Sequence, residues 1–138
     1  LKLCLKIVTP DRTVFSGDVD MVTAPGTLGE FGILPGHIPF FTSLKIGPMK
    51  FEINDEIKWC AIHGGYLEIL DDKVTVLADR AELAEEIDIE RVVKARERAE
   101  TRLKEWSDQD QEGKNILRAK VALMRALTRE EVYEKSSI

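Results

Sequence analysis

Apolar residues recur at every second position from the start of the chain, with Leu1, Leu3, Leu5 and Ile7 preceding Thr9-Pro10-Asp11. A period of two belongs to a strand with one buried face, and Pro with Asp marks the turn that ends it. The rhythm continues. Val14-Phe15 precede Ser16-Gly17-Asp18, Val19 to Val22 precede Pro25-Gly26, and Met49, Phe51 and Ile53 alternate up to Asn54-Asp55. Ile57 to Ile62 follow, His63-Gly64-Gly65 reads as a turn, Tyr66 to Leu70 resume, and Asp71-Asp72 lead into Val74 to Ala78. About eight to ten short strands in this stretch predict an all-β sandwich over residues 1–83.

Beyond Asp79 the period changes. From Glu82 onward the chain holds a single glycine, Gly113, no proline, and a dense mixture of Glu, Arg, Lys, Ala and Leu, which is helical composition. Asp88 is a suitable N-cap for a helix reaching Trp106, with Val92, Ala99, Leu103 and Trp106 near one face. Ser107 to Gly113 breaks it. A second helix from Lys114 to Glu134 places Ile116, Ala119, Leu123, Ala126 and Leu127 on one face. Two helices joined by a short polar loop predict an antiparallel hairpin, residues 87–138, as a second domain. Its stripes are rich in Ala and Val, so the hairpin needs a partner surface. Periodicity leaves open whether it rests permanently on the sandwich or exchanges partners.

Charge and composition remove several functions. The 138 residues carry a net charge of −5 with 43% hydrophobic and 33% charged side chains, a soluble, foldable balance that speaks against a nucleic-acid binder. Cys4 and Cys60 stand far apart without a CxxC or a His cluster, so two buried, reduced thiols are expected and neither a metal site nor a disulfide framework. No charged region leads into an apolar run at the start, and no stretch approaches the roughly 18 apolar residues of a membrane span. His37 and His63 are the only histidines, with no nucleophile elbow and no phosphate loop, so catalysis is not expected.

The arginines of the second half are sorted. At about 100° per residue, positions seven and eleven apart return to the same face. Arg91, Arg98 and Arg102 share one stripe on the first helix, and Arg118, Arg125 and Arg129 share another on the second. From Glu82 onward there are 14 acidic and 12 basic side chains, so the arginines are arranged rather than in excess. Facing guanidinium groups can hold a polyanion such as a nucleotide triphosphate. The alternative is that they pair with acids of their own helix or lie over the apolar stripe.

The most distinctive segment is Ala24-Pro25-Gly26-Thr27-Leu28-Gly29-Glu30-Phe31-Gly32-Ile33-Leu34-Pro35-Gly36-His37-Ile38-Pro39, with four glycines and three prolines in 16 residues. Such density fixes a backbone path of tight turns. Together with Leu44, Gly47, His63-Gly64-Gly65-Tyr66, Val74 to Asp79 and Ile87-Asp88, it resembles the epsilon subunits of bacterial F-type ATP synthases over nearly the whole chain.

That resemblance implies a non-catalytic subunit of a proton-translocating rotary motor, held at the cytoplasmic face of the plasma membrane only through its complex. The sandwich would contact the gamma subunit and the c-ring, and the hairpin would reach toward the alpha/beta catalytic head. Glu30 matches an acidic residue facing the c-ring and His37 one near gamma; read alone, they are a solvated turn carboxylate and a hydrogen-bonded turn histidine. Ile87-Asp88-Ile89-Glu90-Arg91-Val92 resembles a family segment that binds ATP in the folded hairpin, with Val92 in place of a smaller Ala. The resemblance extends that site to Glu82, Ile87, Asp88, Arg91, Arg98, Arg125 and Arg129, with ATP as a regulatory ligand, no catalytic cofactor and no metal. A free-standing sandwich whose hairpin grips a coiled coil is the competing reading.

Overall fold

The computed structural model describes residues 1–106 and 113–137. Among these, eight strands precede two helices: β1 (Leu3–Val8), β2 (Thr13–Val19), β3 (Met21–Gly26), β4 (Gly29–Ile33), β5 (Phe40–Ile53), β6 (Glu56–Leu70), β7 (Lys73–Ala78), β8 (Ala81–Leu83), α1 (Ile89–Trp106) and α2 (Lys114–Ser136). The expected polar break between the helices falls, at residues 107–112, outside the described residues.

The period-two reading of the first strand is realised in full. Leu3, Leu5 and Ile7 are buried while Cys4 and Lys6 point outward. Cys4 is therefore an exposed thiol, contrary to the expectation of two buried ones, because it falls on the outer face of an alternating strand. Cys60 is buried, and burial pushes its thiol pKa well up. The sheet order is β2-β1-β7-β6-β5-β3-β4, with β8 pairing β6; β1 and β7 run parallel and the other pairs are antiparallel. Asn54-Asp55 and Asp71-Asp72 close their hairpins with φ of 49° and 70°, and 49° and 61°. Two successive positive φ values define the tight hairpin turn that suits twisted strands, which Asn and Asp tolerate.

Two strands are long rather than short, 14 residues in β5 and 15 in β6. His63-Gly64-Gly65, expected as a turn, lies inside β6. The strand pairs β8 through Cys60 to Ile62 and β7 through Gly65 to Leu70, so the glycines are the corner at which it changes partner. Gly65 has φ of +129°, and a Cβ there would lie 2.1 Å from the Leu77 carbonyl oxygen. The folded sheet encloses Val22, Ile33, Met49, Phe51, Ile62, Leu67, Ile69, Val74 and Val76, with the Phe15 and Phe51 rings 4.5 Å apart.

Asp88 caps α1, its Oδ1 accepting the Arg91 N–H at 3.3 Å. α1 packs on α2, and α2 lies on β5 and β6. The helices are antiparallel: Arg96 Nε, early in α1, donates to Glu130 Oε1 late in α2 at 2.6 Å. The seam is built of small residues, with Ala99, Ala119 and Ala126 buried, and Val132 and Thr128 bury nearer the end of α2. Leu127, expected on the apolar face, is exposed, as are Leu117 and Met124. A seam of methyl groups brings the helix axes close and leaves the larger side chains outside it. The end of α2 is held by Lys135, whose Nζ sits 4.7 Å from the Trp59 ring centre.

Replacing Gly65 with alanine combines a forbidden contact with a strained φ. At Gly36, also at positive φ, an added Cβ meets nothing within 4 Å. Denaturant unfolding is expected to show a loss of more than about 3 kcal/mol for Gly65→Ala and roughly 1 to 2 kcal/mol for Gly36→Ala.

Candidate anion site at the hairpin junction

The chain crosses from sheet to helix within a few residues, and that crossing builds a cavity. Arg80 and Glu82 flank Ala81 at the start of β8, so they share a face. A 3-10 turn at Ala84–Glu86 follows, and Ile87 and Asp88 beyond it line the same cavity as Glu82 of β8. Arg91 then lies in the first turn of α1 and Arg98 two turns further on the same side. With Arg129 from α2, these residues line a cavity of about 440 Å³, together with Val92 and Ala95. Its size lies in the usual range for small-molecule sites.

Every residue of the expected nucleotide site lines this cavity except Arg125. The Arg125 Nε is buried with no hydrogen-bond partner among the described residues, and burial, then repulsion from Arg80 and Arg129, lower its guanidinium pKa. Arg80, Glu86 and Ala95 line the cavity without having been singled out from sequence.

The acids here are already committed. Glu82 Oε2 lies 2.8 Å from His63 Nε2, and Glu82 Oε1 accepts from Arg129 Nε at 2.5 Å. His63 is 1% exposed, so this carboxylate ties the sandwich interior to α2. Burial pushes the Glu82 pKa up, but His63 and Arg129 together outweigh it and hold the carboxyl below its usual range. Glu86 Oε2 pairs with Arg12 at 2.7 Å, and Oε1 accepts the Leu83 N–H at 3.0 Å. Arg12, through its hydrogen bond, is the main cause of a lowered Glu86 pKa.

The cations are not so committed. Among the described residues the ion-paired arginines are Arg12, Arg96 and Arg129. Neither Arg91, Arg98 and Arg102 nor Arg118 and Arg125 pair with a described acid of their own helix, the alternative open from sequence. Among the described residues, the cavity thus presents unpaired guanidinium groups of Arg80, Arg91 and Arg98 beside Glu82 and Glu86, which are already ion-paired, and Asp88, which caps α1; the three free guanidinium groups outnumber the one unpaired carboxylate and give it anion-binding character. Among the described residues no group of His, Cys, Asp and Glu is arranged to hold a metal ion.

Glu30 and His37 lie elsewhere. Glu30 is exposed on β4 opposite Pro25, next to the Thr27-Leu28 turn. His37 is half-buried in the following loop; its Nδ1–H donates to the Ile38 carbonyl oxygen at 2.7 Å and its ring is 6.0 Å from that of Phe40. Around it Leu34, Ile38, Phe40 and Phe41 are exposed, and Phe41 stacks on the exposed Tyr66 at 5.6 Å. Clustered apolar exposure of this kind marks a protein contact surface. Its signal in the sequence is Phe40-Phe41: consecutive strand residues face opposite ways, so a one-sided core can take at most one of them, and here it takes neither.

Residues 2–84 match the family model described as ATP synthase, Delta/Epsilon chain, beta-sandwich domain, and residues 85–134 match the long alpha-helix domain of the same chains. The chain is 50% identical to an ATP synthase epsilon chain of Syntrophobacter fumaroxidans, over 98% of each. It is 46% identical to that of Geobacter sulfurreducens, over 99% of this chain and 96% of the relative. A chain in the Euglena gracilis mitochondrial ATP synthase structure, which comprises OSCP, F1 and c-ring, superposes with a TM-score of 0.77 at 25% identity, covering 99% of this chain and 82% of that one. A chain of the Tetrahymena thermophila mitochondrial central stalk and c-ring shares the fold, with a TM-score of 0.59 at 16% identity.

The pKa of Glu82 is lower folded than unfolded, so its stabilising contribution is full above the unfolded value of about 4.3 and is lost as pH falls through the folded value. Glu82→Gln is therefore expected to lower the thermal midpoint at pH 7 and to flatten its fall between pH 6 and pH 3. Thermal melts across that range check this. Parallel profiles for the variant and the parent contradict it.

Proposed function

The chain belongs to the ATP synthase delta/epsilon family, and on that premise we propose that it is a non-catalytic central-stalk subunit whose helical hairpin responds to ATP. The sandwich, residues 1–83, stays on the stalk. Its exposed Ile38, Phe40 and Phe41 with His37 meet the gamma subunit, and Glu30 meets the polar loops of the c-ring. The hairpin, residues 87–138, moves between docking on the sandwich and extension toward the alpha/beta head. The whole associates with the membrane through its partners, and no helix among the described residues is long and apolar enough to cross one.

The observation that carries the ATP reading is the junction cavity, in which guanidinium groups without a described acid partner stand beside Ile87, Val92 and Asp88. Phosphate oxygens suit Arg80, Arg91 and Arg98. A base fits against Ile87 and Val92, and Asp88 accepts from its amino group or from ribose hydroxyls. Val92 is buried in the wall, so the base pocket is narrower than an alanine would leave it.

A ligand in this cavity touches β8, α1 and α2 together, so it binds the docked hairpin and not the extended one. At about 100 times its Kd it favours docking by roughly 2.7 kcal/mol. That is comparable to what a seam of alanines supplies, since each buried methyl contributes only about 0.8 kcal/mol. The exposed stripe of Leu117, Met124 and Leu127 gives the extended hairpin an apolar face for its second partner.

Titration of ATP against the isolated chain is expected to saturate. Arg91→Ala should weaken binding by about 10- to 100-fold, the loss of a charge-assisted contact, and Arg125→Ala, outside the cavity lining, by less. Equal affinity in the parent and Arg91→Ala overturns the site.

A further inference from the structure

A second groove adjoins the first cavity and has a different chemistry. It lies between the C-terminal half of α1 and the N-terminal third of α2, has a volume of about 440 Å³, and shares Ala95 and Arg98 with the junction cavity. The helices approach closely along it because Ala99 and Ala119 form its buried floor. Arg98 and Arg102 come from α1 and Arg118 from α2, and Trp106 closes one end with the Arg102 guanidinium 5.8 Å from its ring centre.

The two cavities divide their donors and acceptors. The first is lined by Glu82, Glu86 and Asp88 as well as by arginines, whereas no described acidic residue lines the second. None of Arg98, Arg102 and Arg118 forms an ion pair with a described carboxylate. The negative end of α1 and the positive end of α2 both lie at this groove and offset each other, so the guanidinium groups decide its sign. Like charges brought together from two helices repel, and an anion between them turns that repulsion into attraction. A groove whose described lining carries cationic donors and no acidic acceptor suits an oxyanion.

We propose that this inter-helix groove is a second oxyanion subsite, formed by Arg98, Arg102 and Arg118, that takes condensed phosphate. The phosphate reaches it either as the far end of a polyphosphate ligand seated in the junction cavity or as free pyrophosphate or tripolyphosphate. Charge is neutralised across both helices, so occupancy fastens α1 to α2, while the junction cavity fastens the hairpin to the sandwich. This goes beyond the ATP reading and stands without it, because Arg102 and Arg118 do not line the junction cavity.

Trp59 and Trp106 are the only tryptophans, and Trp106 lines the groove. The full chain labelled with fluorotryptophan therefore gives one fluorine resonance at the groove and one on the sandwich, assigned with Trp59→Phe. Pyrophosphate and tripolyphosphate are expected to shift the Trp106 resonance saturably and leave that of Trp59 in place. Arg118→Ala, an exposed position on α2 where folding is not at risk, should weaken the effect by about tenfold or more, with Arg118→Lys intermediate. Arg91→Ala, which lines only the first of these two cavities, should leave it within about twofold, whatever it does to ATP. If ATP shifts Trp106 while the free polyphosphates do not, and Arg118→Ala weakens that shift, the subsite holds and its phosphate belongs to a bound nucleotide. An unmoved Trp106 resonance with every probe overturns the subsite, as does a shift that Arg118→Ala leaves unchanged. Loss of ATP binding in Arg91→Ala alone then leaves the junction site standing by itself.

Discussion

Glu82 holds two partners from two parts of the molecule, His63 and Arg129. One oxygen meets His63, sealed inside the sandwich, and the other meets Arg129 on α2. A half-buried carboxylate is costly unless its charge is answered, and here the answer comes from both sides of the joint between sheet and hairpin. Removing the hairpin strips Glu82 of Arg129 and leaves it on His63 alone. The same contact keeps Glu82 from competing for Arg91 or Arg98, because that carboxylate is already held by His63 and Arg129. Docking and the anion character of the site therefore rest on one residue.

The rest of the hairpin is held lightly. Its seam is of alanines, its inter-helix ion pair runs from Arg96 to Glu130, and its far end is fastened by a lysine over Trp59. Larger apolar side chains at Leu117, Met124 and Leu127 stay substantially exposed in the docked hairpin. A joint with one strong polar contact and a weak apolar seam is suited to release. The unpaired arginines make the docked state more costly by their mutual repulsion, and an anion reverses the sign of that term.

Much of this is legible in the sequence, and where the pattern misleads the causes are physical. Leu3, Leu5 and Ile7 announce their strand, the paired Asn and Asp residues announce their turns, and Asp88 announces the cap of α1. The helical period alone puts Arg91 and Arg98 on one face. His63-Gly64-Gly65 misleads because two glycines after a strand look like a turn, whereas here they let β6 bend against the Leu77 backbone. Cys4 faces outward by the same alternation that buries Leu3 and Leu5, a stronger guide than the general tendency of cysteine to be buried. Leu127 misleads because a helical stripe wide enough to include Ala126 also admits it, and only the narrowness of the alanine seam excludes it. Arg80 and the role of His63 depend on the register of β8 against β6, a long-range pairing that no local pattern encodes.

Anion binding at the junction and hairpin docking are, on this reading, one equilibrium. Hydrogen exchange of the isolated chain, with and without saturating ATP, measures it directly. Slower exchange along α2 is predicted, largest near Arg129, with the core amides of β5 and β6 unchanged. Saturating ATP that leaves α2 exchange unaltered contradicts it.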